Sequence, residues 1–466
     1  MSRISREDAV HQIVLRVATV CRWTAILCVI ALVGSSAEAM KRVTIDFDFV
    51  AKKAERLVKR SYSEGKKRSD EGLEALDYDA YRKIGFRREE SLWRRDGVPF
   101  QAQFFHPGYL YEDRVRLNEF TATHYQQIPF VKSFFDYGSF DHDSLSESSL
   151  AYAGFRVQYP LKGRGEQFDE VISFLGASYF RAIGNDMHYG LSARGLAINA
   201  GLSTPEEFPR FVEFWLGKPE GESTEMVIYA LMNSPSVTGA YRFVLEPGGD
   251  TRVEVKSRLY IRKDVDSFGV APLTSMYWYG ENSNRKGVDY RPEVHDSDGL
   301  RVEEKGGLIK WRPLEVSDAT RLSYLQLDDP AGFGLMQRDR LFASYEDLEA
   351  EYHKRPSLWI IPKGDWGKGH VKLVELPTVS EFEDNVISFW EPSVLPSKGD
   401  VLDYEYTMLW TLSSNPAQDN TGPIVRSTRV GYDQSSGGDV LFVIDFESTG
   451  ADGFDENRVP TVEAKV

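Results

Sequence analysis

Apolar and polar residues alternate with a period of two along most of this chain, and turn residues break the alternation roughly every ten positions. A strand puts successive side chains on opposite faces, so such a pattern buries one face and leaves the other wet, as antiparallel sheets do. The clearest case spans 241–262. Tyr241, Phe243 and Leu245 fall on one face, and after the turn Pro247, Gly248, Gly249, Asp250 the residues Val253, Val255, Leu259 and Ile261 do the same. Residues 153–161 and 170–184 read as further strands. Helical period is confined to 48–62, where Asp48 is the expected N-cap and Val50, Ala54, Leu57 and Val58 share a face. With no βαβ rhythm and no repeat of fixed period, the pattern predicts an all-β fold built on a large N-terminal β-sandwich. The proline- and glycine-bearing segment 391–400 reads as a linker. Beyond it, 402–412 and 439–446 read as strands of a second, smaller β domain. The roughly 67 residues left there fall short of the roughly 100 of an immunoglobulin-like sandwich.

The first 39 residues have the form of a secretory leader. Arg3, Arg6, Arg16 and Arg22 precede or flank a run of 12 apolar residues, Trp23 to Gly34, and Ala37 and Ala39 set a small-x-small cleavage site. That run is too short to span a bilayer, which takes roughly 20 residues. Without a twin-arginine pair the expected route is Sec-type, with cleavage after Ala39 and a periplasmic product that keeps no stable membrane insertion. Both cysteines, Cys21 and Cys28, lie in the leader, so the mature chain carries neither disulfide nor thiolate site. Losing four basic and three acidic residues with the leader moves the formal charge from −15 to −16. Such a chain repels nucleic acid and anionic surfaces and suits a neutral or weakly anionic polymer.

Several catalytic patterns are absent: no Walker sequence, no HExxH, no GxSxG, and histidines scattered singly. Asp296, Ser297, Asp298 and Gly299 start like a calcium loop but lack the later ligands. What remains is a run from Gly269 to Trp390 in which aromatic clusters and isolated carboxylates alternate. Flat rings pack on pyranose faces, and paired carboxyls can cleave a glycosidic bond. Trp278, Tyr279, Trp359, Trp366 and Trp390 are the candidate stacking residues, Trp366 first because it lies in the glycine-rich KGDWGKG loop, with Arg291 as a hydrogen-bond donor. Asp296 and Asp384 are candidate carboxyls, but so are Glu293, Asp298, Asp365 and Glu375, and spacing does not choose among them.

Longer strings carry a resemblance. LGASYFRAIG at 175–184, YGLSARGLAI at 189–198, EEFPRFVEFW at 206–215, GVAPLTSMYWYG at 269–280, YRPEVHDSDGL at 290–300, GFGLMQRDR at 332–340 and DNVISFW at 384–390 occur in one order. With these the chain resembles the periplasmic glucan biosynthesis proteins of the G and D types, the KGDWGKG loop leaning towards G. The resemblance implies a glucan-processing β-sandwich over 40–390, a linker at 391–400 and an immunoglobulin-like domain over 401–466 that this sequence leaves incomplete. It implies action on a β-1,2-glucan backbone as an inverting glycoside hydrolase, with Asp384 as general acid and Asp296 as general base. Tyr279, Arg291, Trp359 and Trp366 are the expected substrate contacts, and neither metal nor cofactor is implied. The alternative is a non-catalytic factor that binds glucan or assists branching beside the inner-membrane glucan synthase.

Overall fold

A computed structural model describes residues 44–447, apart from 64–72, 74–75, 112, 143–144, 148–149, 164–166, 282, 284–287, 415, 417–423, 434 and 436. The expected leader lies outside the described residues. Two large sheets make the body. The ten-stranded sheet runs Gln101–Phe105, Gly154–Tyr159, Asp169–Leu175, Tyr179–Ala182, Ser192–Arg194, Phe268–Ser275, Val386–Pro392, Lys368–Glu375, Arg321–Asp328, with Leu196–Ile198 also pairing onto Phe268–Ser275. The eleven-stranded sheet runs Ile309–Pro313, Gly299–Glu304, Pro330–Met336, Ser357–Lys363, Val401–Thr411, Thr251–Ile261, Val237–Glu246, Met226–Asn233, Arg210–Gly217, Arg116–Phe120, Tyr125–Gln127. Every pairing in both sheets is antiparallel except Arg116–Phe120 beside Arg210–Gly217.

The sheets meet through aromatic side chains. Phe174 and Phe180 from the ten-stranded sheet reach Phe243 of the other at ring-centroid distances of 5.3 and 5.4 Å, and Phe180 reaches Trp410 at 6.1 Å. The hairpin expected at 241–262 forms, with Tyr241 opposite Ser257 and Phe243 opposite Val255, and its alternating residues are buried. Residues 170–184 do not form one strand. The chain reverses at Gly176 and Ala177, both with positive φ, so Asp169–Leu175 and Tyr179–Ala182 become a hairpin with Phe174 opposite Phe180.

The helix spans Phe47–Val58 and lies on the eleven-stranded sheet, burying Val50, Ala51 and Ala54 against Trp215, Tyr229 and Ala240. Its N-cap is Asp46, which accepts from the Phe49 amide at 2.8 Å, rather than the expected Asp48. Asp48 sits in the first turn, where a negative charge complements the helix dipole.

The C-terminal part departs from expectation. Val401–Thr411, read as the start of a second domain, is a central strand of the large sheet, paired with Thr251–Ile261 on one side and Ser357–Lys363 on the other. Glu391, at the start of the expected linker, is buried in a strand, where it accepts from the Phe268 amide at 3.0 Å and bonds the His370 ring at 3.0 Å. The reason is physical: Tyr404, Tyr406, Met408 and Trp410 are buried among residues of both sheets, and a short remnant domain could not bury them. Among the described residues, Ile424–Asp433 and Asp439–Glu447 pair only with each other, so an immunoglobulin-like unit would begin past Thr411.

A chain ending at residue 400 strips one of two partners from each of the central strands Thr251–Ile261 and Ser357–Lys363 and splits the large sheet between them, so it is expected to lose its cooperative thermal transition in circular dichroism. A chain ending at 414 keeps the transition. A cooperative melt for the shorter chain would restore the boundary at 391–400.

Candidate active site

The hairpin Asp169–Leu175 and Tyr179–Ala182 builds both core and cleft. Phe174, Phe180 and Ala182 point inward and are buried, while Ser173, Tyr179 and Arg181 alternate to the outer face of the sheet. There, with Tyr111, Phe208 and Ser192, they wall a cleft of about 690 Å³ whose lining includes Asp384. Arg181 donates to Ser192 Oγ at 2.6 Å and holds its guanidinium 3.8 Å from the Asp384 carboxylate. Arg194 lies 4.6 Å from the Tyr179 ring centroid and bonds Thr274 Oγ1 and Glu206.

Asp384 and Asp296 come together although 88 positions separate them in sequence, because both are referenced to one dipeptide. Asn385 accepts from the Tyr277 amide at 2.9 Å and donates to the Tyr277 carbonyl at 2.9 Å, which fixes the entry of the Val386–Pro392 strand. The Asp296 amide donates to the Met276 carbonyl at 2.8 Å, just past the pairing of Val294–His295 with Tyr277–Tyr279. Asp384 faces the cleft with 37% of its side chain exposed. Protein packed around the rest raises its pKa by desolvation; Arg181 opposes the rise, and the nearby Asp296 charge adds to it. Asp296 is buried and ion-paired to Arg355, whose guanidinium stacks 4.2 Å from the Tyr352 ring centroid. Gly190 lies under Arg355: a Cβ there would come 2.9 Å from Arg355 Cβ.

The expected substrate contacts fall elsewhere. Arg291 has five N–H donors. All are taken: Nε and Nη2 by Asp289, Nη1 by Asp347, and both Nη by Glu381. Three carboxylates hold its own pKa above the usual value. Arg291 is thus a brace that ties together three loops, one of which leads into Asp384. Tyr279 is buried and donates to the Arg291 carbonyl at 3.2 Å. Trp359 is a core residue lying flat on Gly332, where a Cβ would come 2.3 Å from its ring. Trp366 folds inward from its glycine-rich loop to pack on Tyr404 at 5.4 Å and Tyr406 at 5.9 Å, with its amide held by Asp329. Trp390 is fully buried.

The other carboxylates have structural partners. Glu293 bonds His295 Nε2 at 2.7 Å; burial alone would lower the imidazole pKa, but Glu293, the Asp298 charge and Gln337 together raise it. Glu375 takes the Glu315 amide and Arg312, and Asp365 takes the Gly367 amide in its own turn. Asp298 takes the Arg338 amide at 2.7 Å. With Asp296 bonded to Arg355, the two aspartates face different arginines and form no calcium loop. Among the described residues, Glu281, Glu293 and Asp339 bring carboxylate oxygens within 4.8 Å of one another, the one grouping able to share a cation. The residues that sequence reading missed are Tyr111, Tyr179, Arg181, Phe208 and Arg355. The string LGASYFRAIG, which carries Tyr179 and Arg181, was a signal of kinship without a signal of position.

A cleft lined by a carboxyl and by aromatic rings, laid across a β-sandwich face, suits a protein that handles polysaccharide. The profile described as Periplasmic glucan biosynthesis protein, MdoG matches residues 45–466, and the chain belongs to that family. A glucans biosynthesis protein G of Pseudomonas entomophila is 43% identical over 433 residues, covering 91% of this chain and 74% of its own length. Those of Ralstonia nicotianae and Dickeya dadantii are 45% and 40% identical, over 80% and 96% of this chain and 74% and 86% of theirs. A solved α-galactosidase of Geobacillus stearothermophilus aligns with 55% of this chain and 39% of its own at 10% identity and a TM-score of 0.27, too low to carry an argument. Among the described residues no helix is long and apolar enough to cross a membrane.

Arg291→Ala leaves Asp289, Asp347 and Glu381 facing one another without a cation, and is expected to cost about 3–5 kcal/mol in denaturant unfolding at neutral pH. The folded-state pKa values of Asp289 and Asp347 are depressed, so the stabilisation they share with Arg291 is present above the unfolded value near 4 and lost as pH falls. The gap between variant and parent should therefore narrow on acidification; a constant gap would mean the brace is not electrostatic.

Proposed function

We propose that the protein hydrolyses the β-1,2-glucan backbone in the periplasm with inversion at the anomeric carbon. The observation that supports this best is a carboxyl of raised pKa lining an aromatic-walled cleft, with a second carboxylate, held by Arg355, near enough for its charge to act on the first. Asp384, whose pKa is raised by burial, acts as the general acid and gives its proton to the glycosidic oxygen as the C1–O bond breaks. Water attacks C1 from the opposite face, and its proton passes to Asp296. Because Asp296 is nearly buried, that transfer runs through a relay of water or substrate hydroxyls rather than directly. Proton exchange with solvent then returns Asp384 to its acid form and Asp296 to its carboxylate form. Tyr111, Tyr179 and Phe208 offer ring faces to the sugar, and Arg181 offers donors to its hydroxyls. No metal has a part in these steps.

Asp384→Asn is expected to lower reducing-end release from linear β-1,2-glucan by 10²–10⁴-fold while leaving fold and glucan affinity intact. In the parent, kcat/KM should fall as pH rises through the raised Asp384 pKa, because the general acid must carry its proton. Binding without cleavage by the folded parent would replace this reading with the non-catalytic glucan-binding factor. Gly190→Ala pushes Arg355 off Asp296 and is expected to reduce turnover by roughly 100-fold with little change in glucan affinity. Unchanged turnover would remove Arg355 from the positioning of Asp296.

A further inference from the structure

A second cavity, of about 900 Å³, opens beside the N-terminal helix where the strand Thr251–Ile261 ends, and it shares no lining residue with the Asp384 cleft. Its charge is opposite to that of the chain. Lys59, Arg60, Arg262, Lys263 and Lys398 line it, against a single carboxylate, Glu55. Arg262 is a structural member: it donates to the Leu57 and Val58 carbonyls at the end of the helix, to the Ser234 carbonyl and to Asn233 Oδ1 at 3.1 Å. Lys59 pairs with Glu55 at 2.7 Å. Arg60, Lys263 and Lys398 are exposed and, among the described residues, have no carboxylate partner.

What distinguishes these three cations is their grouping. With 71 acidic residues against 56 basic ones, a cation on this surface has an excess of carboxylates to pair with; some, such as Arg88, Arg94 and Arg95, also lack a carboxylate partner among the described residues, but Arg60, Lys263 and Lys398 line one concavity. Three unpaired cations around one concavity therefore mark a place kept open for an anion, since their mutual repulsion is otherwise a cost. The walls say what else the ligand carries. Tyr62 and Tyr260, with Val58, Ile261 and Val401, give the cavity an organic side, and its volume far exceeds that of a bare ion.

We propose that this cavity binds a phosphate ester, its phosphoryl oxygens taken by Arg60, Lys263 and Lys398 and its organic body set against Tyr62 and Tyr260. Three cations on one concavity suit the two charges and three acceptor oxygens of a phosphate better than the single charge of a carboxylate. A soluble ester is the expected source, because the anionic remainder of the protein opposes approach to an extended anionic membrane.

The test titrates the full chain, by calorimetry at low and moderate salt, with glucose 6-phosphate, with glucose as the neutral control, and with vesicles of phosphatidylglycerol and phosphatidylcholine. Saturable binding of glucose 6-phosphate but not glucose is expected, weakening as salt rises. Lys263→Glu/Lys398→Glu should weaken it by roughly 25-fold or more. Arg94→Glu/Arg95→Glu changes the net charge equally at exposed positions outside the cavity and should leave binding unchanged. Vesicle binding with the same pattern across variants would assign the phosphate to a lipid headgroup. No binding of either probe, or equal losses in both double variants, would overturn the site. Because no cavity residue lines the Asp384 cleft, turnover of β-1,2-glucan by the Lys263→Glu/Lys398→Glu variant tests that reading separately.

Discussion

The contact of Phe174 and Phe180 with Phe243 and Trp410 holds the two sheets together, and the position of the cleft follows from it. Each of these rings is buried at the middle of the sandwich, where aromatic area contributes most of the favourable free energy. Strand geometry then leaves no freedom. Once Phe180 is inside, Tyr179 and Arg181 must be outside, and once Phe174 is inside, so must be Ser173. A register slip of one residue would put the cleft wall into the core. The same hairpin that closes the sandwich therefore presents the ring and the guanidinium that stand beside Asp384.

Behind the cleft the organisation is electrostatic. Arg291 ties the loops of Asp289, Asp347 and Glu381; Tyr352 donates to Glu381 at 2.6 Å and stacks on Arg355; Arg355 pairs with Asp296. This line of contacts links the segment that leads into Asp384 to the carboxylate behind it. Buried ion pairs of this sort add little net stability relative to apolar packing, but removing one member leaves an uncompensated charge. Their effect here is positional: they hold in place loops that have no ladder of backbone bonds.

Much of the fold was legible. The period-two alternation at 241–262 places one face in the core whatever the neighbours are, and the hairpin formed as read. The strand 401–411 was legible as a strand but not as a member of the large sheet, because hydrogen-bond partners are set by topology that no local pattern records. Of the site, the two aspartates stood out only through long shared strings; the polar turn around each looks like any other. The aromatic assignments failed for one reason. Trp359, Trp366 and Trp390 have the ring faces a sugar needs, but a buried strand needs them equally, and glycines at 364 and 367 let a polar loop turn its tryptophan inward.

By itself the sequence determined the all-β class, because strand period is a local property, and it determined the family, because long ordered strings do not recur by chance. It also determined an anionic chain, since charge is additive along the sequence. Tertiary structure alone decided which aromatics line the cleft, which arginine is a brace and which stands over a catalytic candidate, and which cations remain unpaired. Those are properties of neighbours brought together from distant positions: Arg291 with Glu381, Arg355 with Asp296, Lys263 with Lys398. A side chain's chemistry is written in its residue type, but whether a donor is free or a ring exposed depends on what the fold packs against it.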